Sequence, residues 1–273
     1  MEKDTPWEGR GTLMRVIKIG GGASLDIGAI ADDIAELKEK VVVVHGANYY
    51  RDQLLNVLGI QKEILTSVKG FSSVNSTPEI LDSMMMTYSG LRNKRIVEIF
   101  QQKGINAIGL TGIDGGLIRG IRNKGIRVIE NGKKKLKRDL SGKAKSINID
   151  LLNLLLHNGY TPILTMPILD ENSFAINSEN DDVVSLIVKN LQPTLIHMLI
   201  EEKGYLNNNN GKKIDLIKLD KLEDLILSQG GRMKRKLNAI KQMLFYCDTT
   251  IIISDGRIKN PIFNAQQGTV FEI

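Results

Sequence analysis

A lysine and three glycines lie close together in the sequence at a predicted turn near residue 20. The stretch RVIKIGGGASL, residues 15–25, carries Lys18 and then Gly20, Gly21 and Gly22, where a strand pattern gives way to a helical one. Glycines let a backbone approach a ligand closely or adopt positive φ, and N–H groups at a helix start can hold phosphate oxygens. A lysine two residues earlier can place its ammonium group over those phosphates. The spacing fits neither G-x-G-x-x-G nor G-x-x-x-x-G-K-[ST], so dinucleotide and P-loop motifs are excluded here. A simple tight turn is the structural alternative.

A second turn follows the next predicted strand, VVVVHGANYY. His45, Gly46, Ala47 and Asn48 stand at the end of that strand. The carboxyl ends of parallel strands share one edge of a sheet, so this turn and the glycine turn are predicted to face one crevice. His45 by itself is more typical of strand-end packing than of catalysis.

A third polar stretch, AINSENDD (175–182), precedes a predicted amphipathic helix. Asn177 and Asp181 could bind a metal or orient cations around a phosphate. Capping is the structural alternative, with Ser178 or Asn180 at the N-cap and acids in the first turn.

A fourth stretch, QGGRMKRKLNAI (229–240), places Lys234, Arg235 and Lys236 just after two glycines. Cations are electrostatically unfavourable at a helix N-terminus, so this placement favours a function such as meeting a transferring phosphoryl group. A basic surface helix is the alternative.

The elements that must position these residues alternate between strand and helix, which predicts an α/β protein whose mainly parallel sheet is covered on both faces. Asn-Gly in ENGK predicts a tight hairpin within 117–138. The asparagine run 207–210 is predicted to be a mobile hairpin tip. Strands are predicted at 14–19, 41–44, 105–110, 161–166, 194–200 and 249–254, and helices from Ile27 to Leu37 and at 50–58, 79–103, 149–157, 180–190, 221–228 and 234–246.

The composition of the 273 residues is that of a soluble globular protein, with 42% hydrophobic residues and a net charge of +6. Neither a membrane span nor a signal peptide is evident, and we expect a cytoplasmic protein. The single cysteine, Cys247, excludes an intramolecular disulfide, and the three histidines lack metal-ligand spacing. The basic segments 118–127 and 131–145 are either solvated hairpin faces or a surface for an anionic partner. Aromatics make up only 5%, which disfavours nucleic acid and leaves an acidic protein open.

In this order, Lys-x-Gly-Gly-Gly, His-Gly, Asn-x-x-x-Asp and Gly-Gly-x-Met-x-x-Lys resemble the amino acid kinase family and, within it, the acetylglutamate kinase branch. The stretches AIGLTGIDGGLIRG and RDLSGKAKSINIDLLNLLLHNGYTPILTMPI look most similar to archaeal carrier-protein-linked aminoadipate/glutamate kinases. The resemblance runs from about residue 14 to the C-terminus. It implies a carbamate kinase-like, three-layer αβα sandwich, with an acceptor-binding and dimerisation lobe at 1–175 and a nucleotide-binding lobe at 176–273.

The resemblance also implies roles for individual residues. Lys18 would neutralise the transferring phosphoryl group, Lys236 would stabilise charge on the nucleotide side, and Asp181 would orient both lysines. ATP would be the donor, with Mg²⁺ held chiefly by phosphates and water rather than by protein ligands. The implied nucleotide-side residues are Gly20, Gly21, Gly46, Glu201, Gly231 and Met233, and the implied acceptor-side residues are Ala47, Asn48, Lys69 and Asn177.

The chain departs from the family pattern at several positions. His45-Gly46-Ala47-Asn48 stands where the family has His-Gly-Gly-Gly, and Ile200-Glu201 stands where it has Ser/Thr-Asp. Arg232 replaces the glycine before the methionine. The segment that corresponds to the family's substrate loop, SVKGFSSVNSTPE (67–79, hereafter the substrate loop), has no arginine, and Lys69 is its only cation.

Two hypotheses follow. The chain is either a kinase that makes an acyl phosphate in lysine or arginine biosynthesis, from acetylglutamate or from carrier-linked aminoadipate or glutamate, or a catalytically weakened homologue with a binding or regulatory role. The intact phosphate-handling residues favour the kinase. A small acidic carrier protein of the LysW type is then expected to dock on Lys133, Lys134, Lys135, Lys137 and Arg138. A homodimer is expected, to which helix 79–103 could contribute through Met84, Met85, Leu91, Ile96 and Ile99, although this apolar face could equally be core.

Overall fold

The computed structural model describes residues 13–68, 70–130, 133–207 and 211–273, and it describes Arg232 through its backbone alone. Lys69, the Asn-Gly tip of the predicted hairpin and most of the asparagine run therefore lie outside the described residues. In the described part of the chain, no helix is both long enough and apolar enough to cross a membrane.

The predicted alternation of strand and helix is confirmed. The strands β1 to β16 are, in order, Met14–Ile19, Lys40–His45, Ile64–Thr66, Ser72–Val74, Ala107–Thr111, Ile118–Arg122, Ile126–Glu130, Lys133–Lys137, Gly142–Ile147, Thr161–Thr165, Ile168–Leu169, Ala175–Ile176, Leu195–Ile200, Leu216–Lys218, Thr250–Asp255 and Thr269–Glu272. The helices α1 to α8 are Ile27–Glu36, Asn48–Leu58, Pro78–Met84, Asn93–Gln102, Ile149–His157, Asn180–Leu191, Leu219–Ser228 and Gly231–Tyr246.

A central sheet joins both halves of the chain. Within the described residues it has eight strands in the order β14-β16-β15-β13-β1-β2-β10-β5, and only the edge strands β14 and β16 run against the others. Strand β1 pairs in parallel with β2 and β13, and Lys18 is opposite Val44 on one side and Met198 on the other. The turns after these three strands consequently meet at one edge of the sheet.

Helices cover both faces of this sheet. Successive valines of β2 alternate between two apolar clusters, because strand side chains point to opposite faces in turn. One cluster contains buried residues of α1 and α4, and the other contains those of α5, α6 and α8. The three-layer αβα architecture with a mainly parallel sheet is confirmed.

The predicted helix 79–103 is continuous but not regular. Residues Met85–Arg92, between α3 and α4, form a π-helical segment. Within or beside it, the Thr87 hydroxyl donates to the Ser83 carbonyl at 2.6 Å, and Ser89 and Gly90 follow. Hydrogen bonds from side chains to helix carbonyls are a known cause of helix distortion, and so are Gly/Ser pairs. The spacing of apolar residues predicts a helix but does not reveal such distortions.

The segment 117–138 divides between two small sheets. Strand β6 lies between β9 and β11 in a second sheet, whereas β7 and β8 pair with each other. Glu130 is opposite Lys133, which confirms the hairpin at ENGK. We call β7 and β8 the basic hairpin. It adjoins the substrate loop, because the Val68 N–H donates to the Arg127 carbonyl at 2.9 Å.

Gly109 in β5 offers a test of how tightly α4 packs on the sheet. A Cβ atom there would lie 1.8 Å from Oδ1 of Asn93, whose amide nitrogen donates to the Ile163 carbonyl at 3.0 Å. We expect Gly109→Ala to lower the free energy of unfolding, measured in urea, by about 1–3 kcal/mol, because the Asn93 side chain would have to move to make room for the added methyl group. The matched control is Gly90→Ala, where the nearest atom is 3.6 Å away and alanine is expected to be neutral or stabilising. Equal stability of the two variants would contradict the close packing of α4.

Candidate active site

The glycine turn after β1 lies directly against the turn after β2. The Gly46 N–H donates to the Ile19 carbonyl and the Tyr49 N–H donates to the Gly21 carbonyl, both at 3.0 Å. A Cβ atom on Gly21 would lie 2.8 Å from the Asn48 nitrogen. None of the three turn glycines has φ in the left-handed region. Close approach, rather than positive φ, is therefore what glycine provides here.

The N–H of Gly20 differs from that of Gly21. It donates to the Leu199 carbonyl of β13 at 2.9 Å. Contrary to the expectation from the resemblance, it is not available to a ligand, because pairing with β13 continues one residue past β1. The N–H groups of Gly21 and Gly22 have no backbone acceptor among the described residues.

Three charged side chains converge beside this turn. Lys18 projects from β1, Asp181 stands in the first turn of α6, and Lys236 stands in the second turn of α8. The Lys18 ammonium donates to Oδ1 of Asp181, and both residues are 9% exposed. The tertiary structure therefore brings together the three residues expected to be catalytic, which are 163 and 55 positions apart in the chain.

Burial and charge shift the pKa values of this cluster. Burial alone would raise the pKa of Asp181, but the ammonium groups of Lys18 and Lys236 hold it at about 2. Burial lowers the pKa of Lys236 to about 8, although the Asp181 carboxylate opposes that shift. Two cations around one anion leave a net positive charge, which suits a site for a phosphoryl group.

Three helices begin at this crevice without side-chain caps. Among the described side chains, none caps α2 at Ala47, α6 at Glu179 or α8 at Gly230, whereas α1, α3 and α5 are capped. Helix α7 is also uncapped, but it begins at the edge of the sheet. The first N–H groups of an uncapped helix are open to an anion, and the helix dipole favours negative charge there.

The capping assignment made for α6 is wrong. Glu179 is at the N-cap, and Asn180 is the first helical residue. The Ser178 hydroxyl instead accepts from the Ala144 N–H of β9 at 3.3 Å. The expected acids in the first turn, Asp181 and Asp182, are confirmed.

On the expected acceptor side, Asn177 and Asn48 are both engaged. The Asn177 side chain donates to the Ser76 hydroxyl at 3.0 Å and thereby joins β12 to the substrate loop. Oδ1 of Asn48 accepts from the Tyr88 hydroxyl. Ala47 is fully buried at the N-cap of α2. Lys69 lies outside the described residues.

On the expected nucleotide side, Glu201 covers the glycine turn. Its Oε1 accepts from the Ser24 hydroxyl at 2.6 Å and from the Ser24 N–H at 3.0 Å, and these bonds lower its pKa. A Cβ atom on Gly22 would lie 2.0 Å from this carboxyl group. Gly231 begins α8 with φ of 56°, and Met233 packs against the larger apolar cluster.

Some residues of the crevice had no clear signal in the sequence. Ser24, Tyr88 and the Glu179–Arg235 ion pair belong to this group. Their partners are 40 to 177 positions away, so local patterns carry no trace of the contacts. His45 behaves as expected of a packing residue: it is fully buried, and burial lowers its pKa to about 3.

Sequence comparison matches most of the chain to known proteins. The model of the amino acid kinase family matches residues 14–255. The [LysW]-aminoadipate kinase of Thermus thermophilus is 35% identical over 264 residues, which cover 93% of this chain and 98% of the relative. The [LysW]-aminoadipate/[LysW]-glutamate kinase of Saccharolobus islandicus is 32% identical over 265 residues, covering 94% and 98%.

A solved structure shares the fold. The N-acetylglutamate synthase of Neisseria gonorrhoeae, complexed with coenzyme A and N-acetyl-glutamate, superposes with a TM-score of 0.77 at 15% identity. The match covers 96% of this chain and 59% of that longer one. At this identity the likeness concerns the fold alone.

The pKa of Lys236 predicts how the affinity for ATP, the donor that the resemblance implies, depends on pH. As the pH rises through about 8, Lys236 loses its charge and the affinity for ATP should fall. Asp181→Asn removes the anion that supports the charged form, so the fall should move to lower pH. Titration calorimetry between pH 6 and 10 locates the fall in each protein, and ionisation of the nucleotide phosphates, which is common to both, cancels in the comparison.

Asp182→Asn is the charge-matched control for this titration. The cations that act on Asp182 are Lys143 and Lys145, so its removal should leave the midpoint in place. An affinity that stays constant over the whole range in the unsubstituted protein would contradict the assignment of Lys236.

Proposed function

The chain belongs to the amino acid kinase family, and we propose that it transfers a phosphoryl group from ATP to a side-chain carboxylate of an N-blocked acidic amino acid. The product is an acyl phosphate. The observation that carries this proposal is the buried cluster of Lys18, Asp181 and Lys236 beside three uncapped helix N-termini. Phosphoryl transfer needs positioning and charge stabilisation more than covalent chemistry, and the cluster supplies both.

Each charged residue has a distinct task in this proposal. Lys18 lies on the strand that leads into the glycine turn, so its ammonium neutralises the transferring phosphoryl group beside that turn. Lys236 comes from α8 and stabilises the charge that develops on the nucleotide side. Asp181 accepts from Lys18 and attracts Lys236, so it holds both cations beside the glycine turn.

The described residues fit the phosphates of ATP. Gly21 has no Cβ to fill the space between the first two turns, and the starts of α2, α6 and α8 offer open N–H groups. Mg²⁺ retains water and prefers phosphate oxygens, so we propose that it enters with the nucleotide and is held mainly by it. When bound, it would neutralise phosphate charge.

We propose that the acceptor lies between the turn after β2, the substrate loop and the segment that carries Asn177. Asn177 and Asn48 offer amide groups there, and Ala47 forms the buried wall. Relatives that share 32–35% identity are named for LysW-linked aminoadipate or glutamate. We therefore propose aminoadipate or glutamate with its amino group blocked by a carrier, in lysine or arginine biosynthesis, ahead of free acetylglutamate. The acceptor lobe would be 1–175 and the nucleotide lobe 176–273.

The basic hairpin is proposed to receive the carrier. Lys133 and Lys134 are exposed, and neither has an ion-pair partner among the described residues. Lys135 and Lys137 both pair with Glu130 at 2.9 Å. Since the hairpin adjoins the substrate loop at Val68, an acidic carrier held there would deliver its linked amino acid to the crevice.

A homodimer also remains part of the proposal. Of the residues named on helix 79–103, Met84 and Ile96 are core residues of the chain, at 2% and 0% exposure. Met86 and Leu91 are exposed, at 56% and 47%, and are the better candidates for a contact between two copies.

The activity is tested by trapping acyl phosphate with hydroxylamine. The purified protein is given ATP, Mg²⁺ and either N-acetylglutamate or aminoadipate linked to a LysW-type carrier. We expect hydroxamate with the linked acceptor, and a loss of about 100–1,000-fold in Lys18→Ala, because one charge-stabilising group is gone. The melting temperature of the variant separates a catalytic loss from unfolding.

Two results would contradict the kinase proposal. Nucleotide binding without hydroxamate on either acceptor would favour the regulatory homologue. Absence of nucleotide binding would mean that the donor side, where Glu201 now contacts Ser24, is closed.

The carrier surface is tested by charge reversal. We expect Lys133→Glu/Lys134→Glu to raise the KM for the linked acceptor at low salt and to leave the KM for ATP unchanged, because steering by charge is screened by salt. The matched control is Lys218→Glu/Lys221→Glu, which removes the same charge at the far edge of the sheet. Equal effects of the two pairs would show that net charge, rather than the hairpin, is responsible.

A further inference from the structure

An arginine from the nucleotide-side helix reaches the substrate loop. Arg235 stands on α8, one residue before Lys236. Its Nη1 donates to Oε1 of Glu179 at the start of α6, its Nη2 is 3.4 Å from the Ser72 carbonyl, and its guanidinium lies 5.6 Å from the centre of the Phe71 ring. The side chain therefore spans the gap between the substrate loop and the segment that carries Asn177 and Asp181.

This gap is where the acceptor has to lie if the proposed function is right. Asn177 closes its other end by donating to Ser76. The loop offers no arginine of its own, and none of its described residues, 67–68 and 70–79, is cationic. An amino acid whose amino group is blocked still presents a carboxylate on its α-carbon. Such a group needs a partner when it is desolvated.

The donors of Arg235 are only partly used. A guanidinium has five N–H groups, and one of them is paired with a charged acceptor here. The contact to Ser72 is long, and Nε has no partner among the described residues. Burial lowers the pKa of this guanidinium, and 23% of its side chain remains exposed. A second carboxylate would complete its coordination.

We propose, on the basis of the proposed function, that Arg235 binds the α-carboxylate of the acceptor in place of the missing loop arginine. Glu179 and the Phe71 ring then orient the guanidinium, so its planar fork presents two parallel donors. Because Arg235 and Lys236 are adjacent on α8, acceptor binding and nucleotide binding would share one rigid helix.

The test compares two acceptors that differ only at the α-carboxylate. The probes are the carrier-linked aminoadipate and its 1-carboxamide, which keeps the side-chain carboxylate that is phosphorylated. The unsubstituted protein should prefer the carboxylate by about 10- to 100-fold in kcat/KM, as expected for hydrogen bonds to a charged group. In Arg235→Met this ratio should fall to about 1, through KM of the carboxylate acceptor, while ATP affinity stays the same.

Two further variants keep the test decisive. Arg235→Lys retains the charge without the fork and should give an intermediate ratio, and it replaces Arg235→Met if that variant does not fold. Lys241→Met removes a cation elsewhere on α8, where it pairs with Glu223, and should leave the ratio unchanged. A purely structural clasp between α6 and the loop would alter stability without altering the ratio.

The outcomes separate this inference from the function it rests on. No hydroxamate from the unsubstituted protein with either probe contradicts the proposed function. Product from that protein, with the same ratio in Arg235→Met or Arg235→Lys, contradicts the role of Arg235 alone. If the preference for the carboxylate acceptor is kept in both Arg235 variants but lost in Arg92→Met, the α-carboxylate is bound by Arg92. Arg92 is 7% exposed, and its Nε and Nη2 have no partners among the described residues.

Discussion

Two ammonium groups and one carboxylate lie together at the carboxyl ends of the central strands, and the rest of the site is arranged around them. Buried charges are tolerated only when they are paired, so Lys18 and Lys236 depend on Asp181. The three residues come from β1, α6 and α8, which places a condition on the fold. The sheet and helices α6 and α8, which lie on one of its faces, must all be packed before the carboxylate can pair with the ammonium groups.

Open backbone donors surround this cluster. Helices α2, α6 and α8 begin at the crevice without side-chain caps, whereas α1, α3 and α5 are capped by Asp26, Thr77 and Asn148. A capping side chain accepts hydrogen bonds from the same N–H groups that would otherwise bind an anion. The missing caps leave N–H groups of three helix starts unsatisfied by side chains, and an anion bound there would offset this loss. The glycine turn acts in the same direction, because Gly21 brings two loops within reach of one group.

The acceptor side of the crevice is built differently. The substrate loop contributes backbone and hydroxyl groups rather than an arginine. The Arg235 side chain reaches it from α8, and the basic hairpin adjoins it through a backbone hydrogen bond from Val68 to Arg127. Positive charge that would belong to one loop is thus divided between a half-buried guanidinium and an exposed surface. In physical terms, this division suits an acceptor that has a small carboxylate at one end and a large acidic partner at the other.

The sequence by itself determined the alternation of strands and helices, the covered parallel sheet and the hairpin at ENGK, because hydrophobic period and strand-end turns are local properties. The family resemblance implied shared work for Lys18, Asp181 and Lys236, and the tertiary structure brings their side chains together. Only the tertiary structure decided that Gly20 pairs with Leu199, that Glu201 holds Ser24, that Glu179 rather than Ser178 or Asn180 is the N-cap of α6, and that Arg235 reaches the substrate loop. Each of these depends on partners brought together by packing. The hydrogen-bonding groups of a residue are known from its type, but the partner of each group depends on which distant residues the tertiary structure brings next to it.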